Sequence, residues 1–239
     1  MQGYKLGLLL TLVLKNRHIA KPKTTPAHLK RKRHFNQISI MKILLILLGV
    51  ILLAFIIIQL FAMSGQRNIE SYPYVVNKKY DIFEIRTYEA SLFTSVQLPG
   101  NKYKDASSKG FSILGGYIFG GNEKNEKIAM TSPVAMSLDD SMTMMFLVPK
   151  KYKKETLPLP NQSQIKFREE PAKTVAAITF SGWADDEKIE KYKQKLKLAL
   201  DAEKITYTNR FYFLGYNPPF DVINRKNEII VELEGKALD

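Results

Sequence analysis

Phe83-Glu84-Ile85-Arg86-Thr87-Tyr88 and Ile165-Lys166-Phe167-Arg168-Glu169-Glu170 stand 82 residues apart and read alike. At this offset Arg86 meets Arg168, Ala90 meets Ala172 and Gly100 meets Gly182. Further along the offset is 85, where Ser132-Pro133-Val134 meets Asn217-Pro218-Pro219 and Thr143–Leu147 meets Glu228–Glu232. Two anchors at nearly constant spacing predict duplication of one supersecondary unit. Chance likeness between strand patterns is the competing reading, since such patterns resemble each other easily.

Each unit has the same order of elements. A pair of strands comes first: Tyr80–Arg86 with Leu92–Leu98, and Ile165–Glu169 with Thr174–Phe180, rich in Ile, Val, Phe and Tyr. A helix follows. Asp185–Lys204 places Ile189, Tyr192, Leu196, Ala199 and Leu200 on one face, with Asp185, Asp186 and Glu187 where the helix dipole favours acids. Its counterpart Tyr103–Phe119 keeps helical spacing at Tyr103, Ala106, Gly110, Ile113, Leu114 and Tyr117, although each of Gly110, Gly115 and Gly116 costs about 1 kcal/mol relative to Ala. Two more strands close each unit: Ile128–Leu138 with Met142–Pro149, and Thr206–Tyr216 with Glu228–Glu234. Paired strands rather than strict strand–helix alternation argue against a doubly wound sheet. They predict an α+β domain whose joined sheets curve into a barrel with two helices outside.

Charge is unevenly spread. Residues 1–63 carry ten Lys/Arg and no acid, whereas residues 64–239 carry 26 Lys/Arg against 23 Asp/Glu. The folded part is therefore nearly neutral and lacks the basic face that nucleic-acid binding requires. All three histidines, His18, His28 and His34, fall in the basic N-terminal segment, and the chain has no cysteine. A Ser–His–Asp triad, a His metal site, a thiolate site and a Cys nucleophile are thereby excluded from the domain. The adjacent acids Asp139-Asp140 and Asp185-Asp186 do not converge as neighbours on a strand or helix. The first reads as a hairpin turn and the second as a helix start.

Ile43 to Ala62 has Gln59 as its one polar member. Twenty such residues span about 30 Å, the thickness of a bilayer's hydrocarbon core. Lys30, Arg31, Lys32, Arg33 and Lys42 flank it only on the N-terminal side. The positive-inside rule then predicts a single-pass membrane protein with a cytoplasmic N-terminus and the domain on the exported, periplasmic or extracellular, side. An uncleaved signal anchor is the expectation, with a peptide cleaved near Ala62-Met63-Ser64 as the alternative. The expected organisation is a basic segment 1–42, disordered or a start-site extension ahead of Met41, an anchor 43–63, a linker 64–79 and a domain 80–235.

Five motifs in order carry a resemblance. They are Tyr80–Glu89 (YDIFEIRTYE), Tyr117–Lys124 (YIFGGNEK), Lys127–Val134 (KIAMTSPV), Gly215–Phe220 (GYNPPF) and Arg225–Glu228 (RKNE). Together they resemble the SOUL haem-binding family over about residues 74–234. The resemblance implies a duplicated, distorted antiparallel β-barrel with a hydrophobic surface cleft for haem or another tetrapyrrole, and no enzymatic activity. Some members carry a His ligand in the first motif; the matching position here is Thr87, so His ligation is impossible. The resemblance also implies a second mode, that of other members, in which apolar contacts near the first helix and the Pro-Pro loop hold the porphyrin. The positions it implies are Phe111, Leu114, Gly115, Ile118, Tyr216, Pro218, Pro219 and Phe220, with Gly115 and Gly116 letting a ring approach the backbone. Arg225 or Lys226 is the candidate partner for propionates, and Met130 the nearest sulfur ligand for iron.

Each of these residues also has a plainer role. Met130, Met136, Met142, Met144 and Met145 suit irregular core packing. Asn217-Pro218-Pro219 reads as a turn, and Trp183, the sole tryptophan, as a cover for the core edge. Two further function classes stand beside haem binding. One is a domain for other hydrophobic molecules, which for aromatic cations requires acidic residues lining an aromatic pocket. The other, weaker without His or Cys, is a hydrolase using Glu or Tyr.

Overall fold

A computed structural model of the chain describes residues 27–65, 69–100, 102–218, 221 and 225–235. The chain divides into two units, Met1–Phe55 and Ile56–Asp239. Helix α1, Ala27–Gly65, runs through the first and into the second. Its stretch Ile40–Gln59 is long and apolar enough to cross a membrane. The helix exceeds the expected span 43–63 at both ends and takes in part of the segment expected to be disordered; residues 1–26 lie outside the described residues.

Among its described residues the second unit holds nine antiparallel strands in one curled sheet: β1 (Tyr74–Lys79), β2 (Glu84–Tyr88), β3 (Ser91–Gln97), β4 (Val134–Ser137), β5 (Thr143–Leu147), β6 (Lys166–Glu170), β7 (Lys173–Ser181), β8 (Tyr207–Gly215) and β9 (Lys226–Leu233). Helices α2 (Tyr103–Ile118) and α3 (Asp186–Ala202) complete an α+β half-barrel. The sheet order is β1-β2-β7-β9-β8-β4-β5-β3-β6. With β1 set aside, exchanging the two halves reverses this order onto itself. The register follows the exchange residue by residue. Ile85 pairs with Ala176, and 82 residues away Phe167 pairs with Thr94. Phe93 pairs with Leu147, and Val175 with Glu232 at offsets of 82 and 85. Duplication, rather than chance likeness, accounts for such agreement.

Four expectations are corrected. The first strands of each half do not pair with each other: β2 joins β7 and β3 joins β6, so each half completes the other's sheet. The segment expected as a linker contains β1, which pairs with β2 at the sheet edge. Pro133 and Pro218 are not equivalents. Val134–Phe146 corresponds to Phe211–Val231, an offset of 77 on β4 and 85 on β5, so the β8–β9 connection carries eight additional residues. The predicted strand Ile128–Leu138 is also shortened. Ile128 N–H donates to Ile118 C=O, Ser132 N–H to Glu70 C=O, and the ladder begins only at Val134.

The sheet buries both faces, and alternation along each strand sorts them. Ile85, Val96, Met144, Phe146, Ile178, Phe213 and Val231 face the helices, where Leu114, Tyr117, Leu196 and Leu200 complete the main core. Tyr88, Phe93, Met145, Val175, Tyr212, Leu214 and Ile230 form a second core on the opposite face. That face also holds a buried ion cluster. Arg86 grips fully buried Glu228 with two bonds, Nη1 to Oε2 at 2.9 Å and Nη2 to Oε1 at 3.1 Å. Tyr216 donates to the same carboxylate at 2.6 Å, and Lys226 lies 3.1 Å from it. Burial pushes the Glu228 carboxyl up, but Arg86 and then Tyr216 and Lys226 outweigh it and hold it below the usual carboxylate range.

Candidate functional site

The site grows from one stripe of α2. Tyr103, Ser107 and Phe111 recur every fourth residue, and Phe119 continues the stripe just past the helix end. The stripe faces Val134 and Met136 of β4, Met144 of β5, and Phe213 and Gly215 of β8. Between these walls lies a cleft of about 1070 Å³, just above the roughly 300–1,000 Å³ usual for small-molecule sites. Ile69, Met130, Thr131 and Ser132 also line it, as do Trp183 and Ala184 and, from the β8–β9 connection and β9, Asn217, Pro218, Arg225 and Asn227. The eight-residue expansion of the β8–β9 connection therefore supplies part of the wall, at a place where the two halves differ.

The wall offers little polar surface because several of its polar side chains are already bonded within the protein. Thr131 Oγ1 donates to Leu147 C=O at 2.7 Å and Asn227 Nδ2 to Gly182 C=O at 2.8 Å. Asn217 donates to Asp221 Oδ2 at 2.6 Å and accepts from Lys226 N–H at 2.7 Å. Arg225 gives Nη1 to the carbonyls of Pro218 and Asp221, at 3.0 and 2.6 Å, and Nη2 to that of Asn217 at 3.4 Å. Its guanidinium carbon lies 4.0 Å from the centre of the Trp183 ring, a cation–π stack. Burial pulls the Arg225 guanidinium below its ordinary value. Arg225 is thus the staple of its own loop. The guanidinium expected to meet propionates uses both terminal nitrogens on backbone, and Lys226 is drawn to Glu228.

The predicted site residues separate into groups. Phe111, Met130, Tyr216, Pro218 and Arg225 line the cleft. Leu114 and Ile118 sit in the main core, 0% and 4% exposed, because they project toward the sheet rather than along the Phe111 stripe. Gly115 lies on the stripe but is buried. A side chain there would meet the rings of Phe111 and Phe119 at 3.6–3.8 Å, so these rings, not a ligand, occupy the space beside it. Pro219 and Phe220 lie outside the described residues. Thr87, the counterpart of the His ligand in some members, bonds Asn77 and Thr174 on the sheet and does not line the cleft. Trp183, expected over the core edge, stands at the cleft wall and is 54% exposed. The four-residue spacing of α2 points to Tyr103 and Phe119 as well as Phe111. Nothing local in the sequence marks Trp183 or Phe213, which the fold brings in from other elements.

Among the described residues no Asp or Glu lines this cleft, which overturns the acidic aromatic pocket expected for a cation binder. The sulfur atoms available are those of Met130, Met136 and Met144. Met136 and Met144 are 1% and 2% exposed. Half-buried Met130 is the most accessible of the three.

A duplicated α+β half-barrel with one large apolar cleft beside its first helix is the class that fold and geometry define. The chain belongs to the SOUL heme-binding protein family, whose model matches residues 69–232. It is 28% identical over 156 residues to Heme-binding protein 1 of Xenopus laevis, a match covering 62% of this chain and 81% of that one. Heme-binding protein 2 of Mus musculus is also 28% identical, over 62% of this chain and 76% of its own length. Among solved structures, the EcmrR C-terminal domain superposes with a TM-score of 0.51 at 13% identity, over 64% of this chain and 96% of that domain. That likeness concerns the fold.

Proposed function

We propose that this chain binds haem or a closely related tetrapyrrole in the cleft beside α2, without catalysis and without histidine ligation. Family membership supports the ligand class. The observation that carries the location is an apolar cleft of about 1070 Å³ walled by Phe111, Phe213 and Trp183. A flat, largely apolar macrocycle requires such walls, and burial of its faces supplies the affinity. Phe111, Phe119, Trp183 and Phe213 would hold the ring, and Met130 would be the side chain of the wall whose sulfur could ligate iron. When bound, haem would bring its own iron chemistry; the chain's residues contribute orientation and exclusion of water.

One observation favours a broader ligand range. Thr131 Oγ1, the amides of Asn217 and Asn227 and the terminal nitrogens of Arg225 are engaged within the protein, which leaves Arg225 Nε as the unpartnered polar atom of this group. Selection then rests on flatness and apolar area rather than on iron. The apolar span Ile40–Gln59 supports a membrane-anchored protein, and the basic N-terminal side supports export of the domain. The test is a hemin titration of the full chain in lipid nanodiscs, followed in the Soret region against empty nanodiscs. A saturable, shifted band near one hemin per chain is expected, with metal-free protoporphyrin competing for the same site. A spectrum identical to that in empty nanodiscs sinks the proposal.

A further inference from the structure

Ile69 lines the cleft, yet it stands only four residues beyond Gly65, the last residue of α1. The apolar window of α1 ends at Gln59, so ten residue steps lead from its end to Ile69. Six of them are helical and rise about 1.5 Å each, and four can extend by at most about 3.6 Å each. Covalent length alone thus holds Ile69 within about 24 Å of the end of the hydrocarbon-spanning stretch. The head-group layer occupies about 5–7 Å of that distance. A domain of this size measures roughly 40 Å across. The tether is therefore too short for the cleft to lie at the pole remote from the membrane.

The rim matches that position. Phe119 and Trp183 line the cleft and are 59% and 54% exposed; among the described residues of the second unit these are the exposed aromatic side chains, alongside the exposed aliphatic Val75, Leu159 and Leu198. Trp183 carries an apolar ring with a cationic neighbour, Arg225, stacked on it. Exposed aromatic rings of mixed polarity are characteristic of the head-group level of a bilayer, where ring and dipole are both satisfied.

We propose that the cleft mouth rests on the lipid head-group layer and exchanges its ligand with the membrane, taking up flat amphiphiles dissolved in the bilayer rather than molecules free in water. This rests on α1 spanning a membrane and on the cleft being the ligand site. A ligand of this kind partitions into lipid before it meets protein, and the walls of Phe111, Trp183 and Phe213 continue the apolar path from acyl chains to site.

Trp183 is the sole tryptophan and so reports the cleft mouth directly. The experiment reconstitutes the full chain into phosphatidylcholine vesicles, with and without phosphatidylcholine brominated near the glycerol end of its acyl chains. Hemin is absent. Trp183 emission is expected to fall at least by half in the brominated vesicles, with Trp183→Phe as the blank. A second protein, Trp183→Phe with Tyr207→Trp, carries its reporter at the opposite end of β8 from Gly215, about 26 Å away at the rise of a strand. That reporter should be quenched much less. Equal emission from Trp183 in the two vesicle types, or stronger quenching at position 207, overturns the proposal. Hemin titration of the same vesicles separates the two readings. Quenching without a Soret shift leaves the membrane-facing mouth standing and removes haem as its ligand, whereas a Soret shift without quenching keeps haem and removes the membrane route.

Discussion

The carboxylate of Asp186, in the first turn of α3, accepts the backbone N–H of Tyr103 at 2.5 Å and that of Lys104 at 3.3 Å. Lys102, the N-cap of α2, makes no side-chain cap of its own, so one helix caps the other across the domain. Asp185 next door caps α3, accepting from Lys188 N–H at 2.8 Å. Two adjacent acids thus serve two helices, and the first turn of the cleft wall is fixed from outside. Asp186→Ala should cost about 1 kcal/mol, the worth of a helix cap. It should also speed amide exchange in the first turn of α2 while leaving α3 protected. Unchanged exchange at residues 103–106 would contradict the cap.

Two glycines of α2 should respond with opposite signs. A Cβ at Gly110 would lie 2.7 Å from Leu98 Cδ1, 2.9 Å from Met144 Sδ and 3.1 Å from Met144 Cβ. Leu98 and Met144 are themselves buried. Overpacking of about 1–3 kcal/mol should exceed the gain of about 1 kcal/mol in helix propensity, so Gly110→Ala lowers the urea midpoint. At Gly116 the nearest atom is Gln162 Nε2 at 3.9 Å. Gly116→Ala should therefore raise the midpoint, by up to about 1 kcal/mol in stability.

The Arg86–Glu228 pair predicts acid sensitivity. Glu228 and Glu170 are both held below the usual carboxylate range, the first chiefly by Arg86 against the penalty of burial and the second by Lys173 and Arg168 against the same penalty. A depressed folded value means stability that is present above the unfolded value of about 4.3 and lost as the pH falls through the folded one. Unfolding should therefore steepen on acidification below pH about 4. Glu228→Gln removes the fully buried counter-charge of Arg86 and leaves Glu84, 2.9 Å from its Nε, as the remaining one; the loss should approach the roughly 3–5 kcal/mol of a broken buried pair. Urea melts at neutral and acid pH, with wild type and variant compared, decide both points.

Within the cleft, neighbours on α2 should separate binding from folding. Phe111 lines the cleft and is half-buried, whereas Leu114 is 0% exposed in the main core. Phe111→Ser should weaken hemin binding at least tenfold with the far-ultraviolet spectrum unchanged. Leu114→Ser should lose about 2–5 kcal/mol of stability by analogy with large-to-small core changes. Equal loss of binding and folding in both variants would show that the cleft wall and the core are not distinct.

What the sequence alone determined here is whatever follows from local periodicity and self-comparison. The offset of 82 between Arg86 and Arg168 foretells duplication, and the spacing of Ile189, Leu196 and Leu200 foretells α3 and its buried face. Twenty apolar residues foretell a helix able to span a bilayer, because length and hydropathy are additive along a chain. Only the tertiary structure decided which strands meet. β2 pairs with β7, and β3 with β6, through the joint curvature of two halves, which no local pattern encodes. The cleft depends on the same global closure. It brings Trp183, Phe213 and Arg225 to the Phe111 stripe from three other segments, each tens of residues or more away in the chain. It likewise turned Arg225 inward to its own loop's carbonyls, since a half-buried guanidinium stacked under an indole bonds to the backbone acceptors within reach.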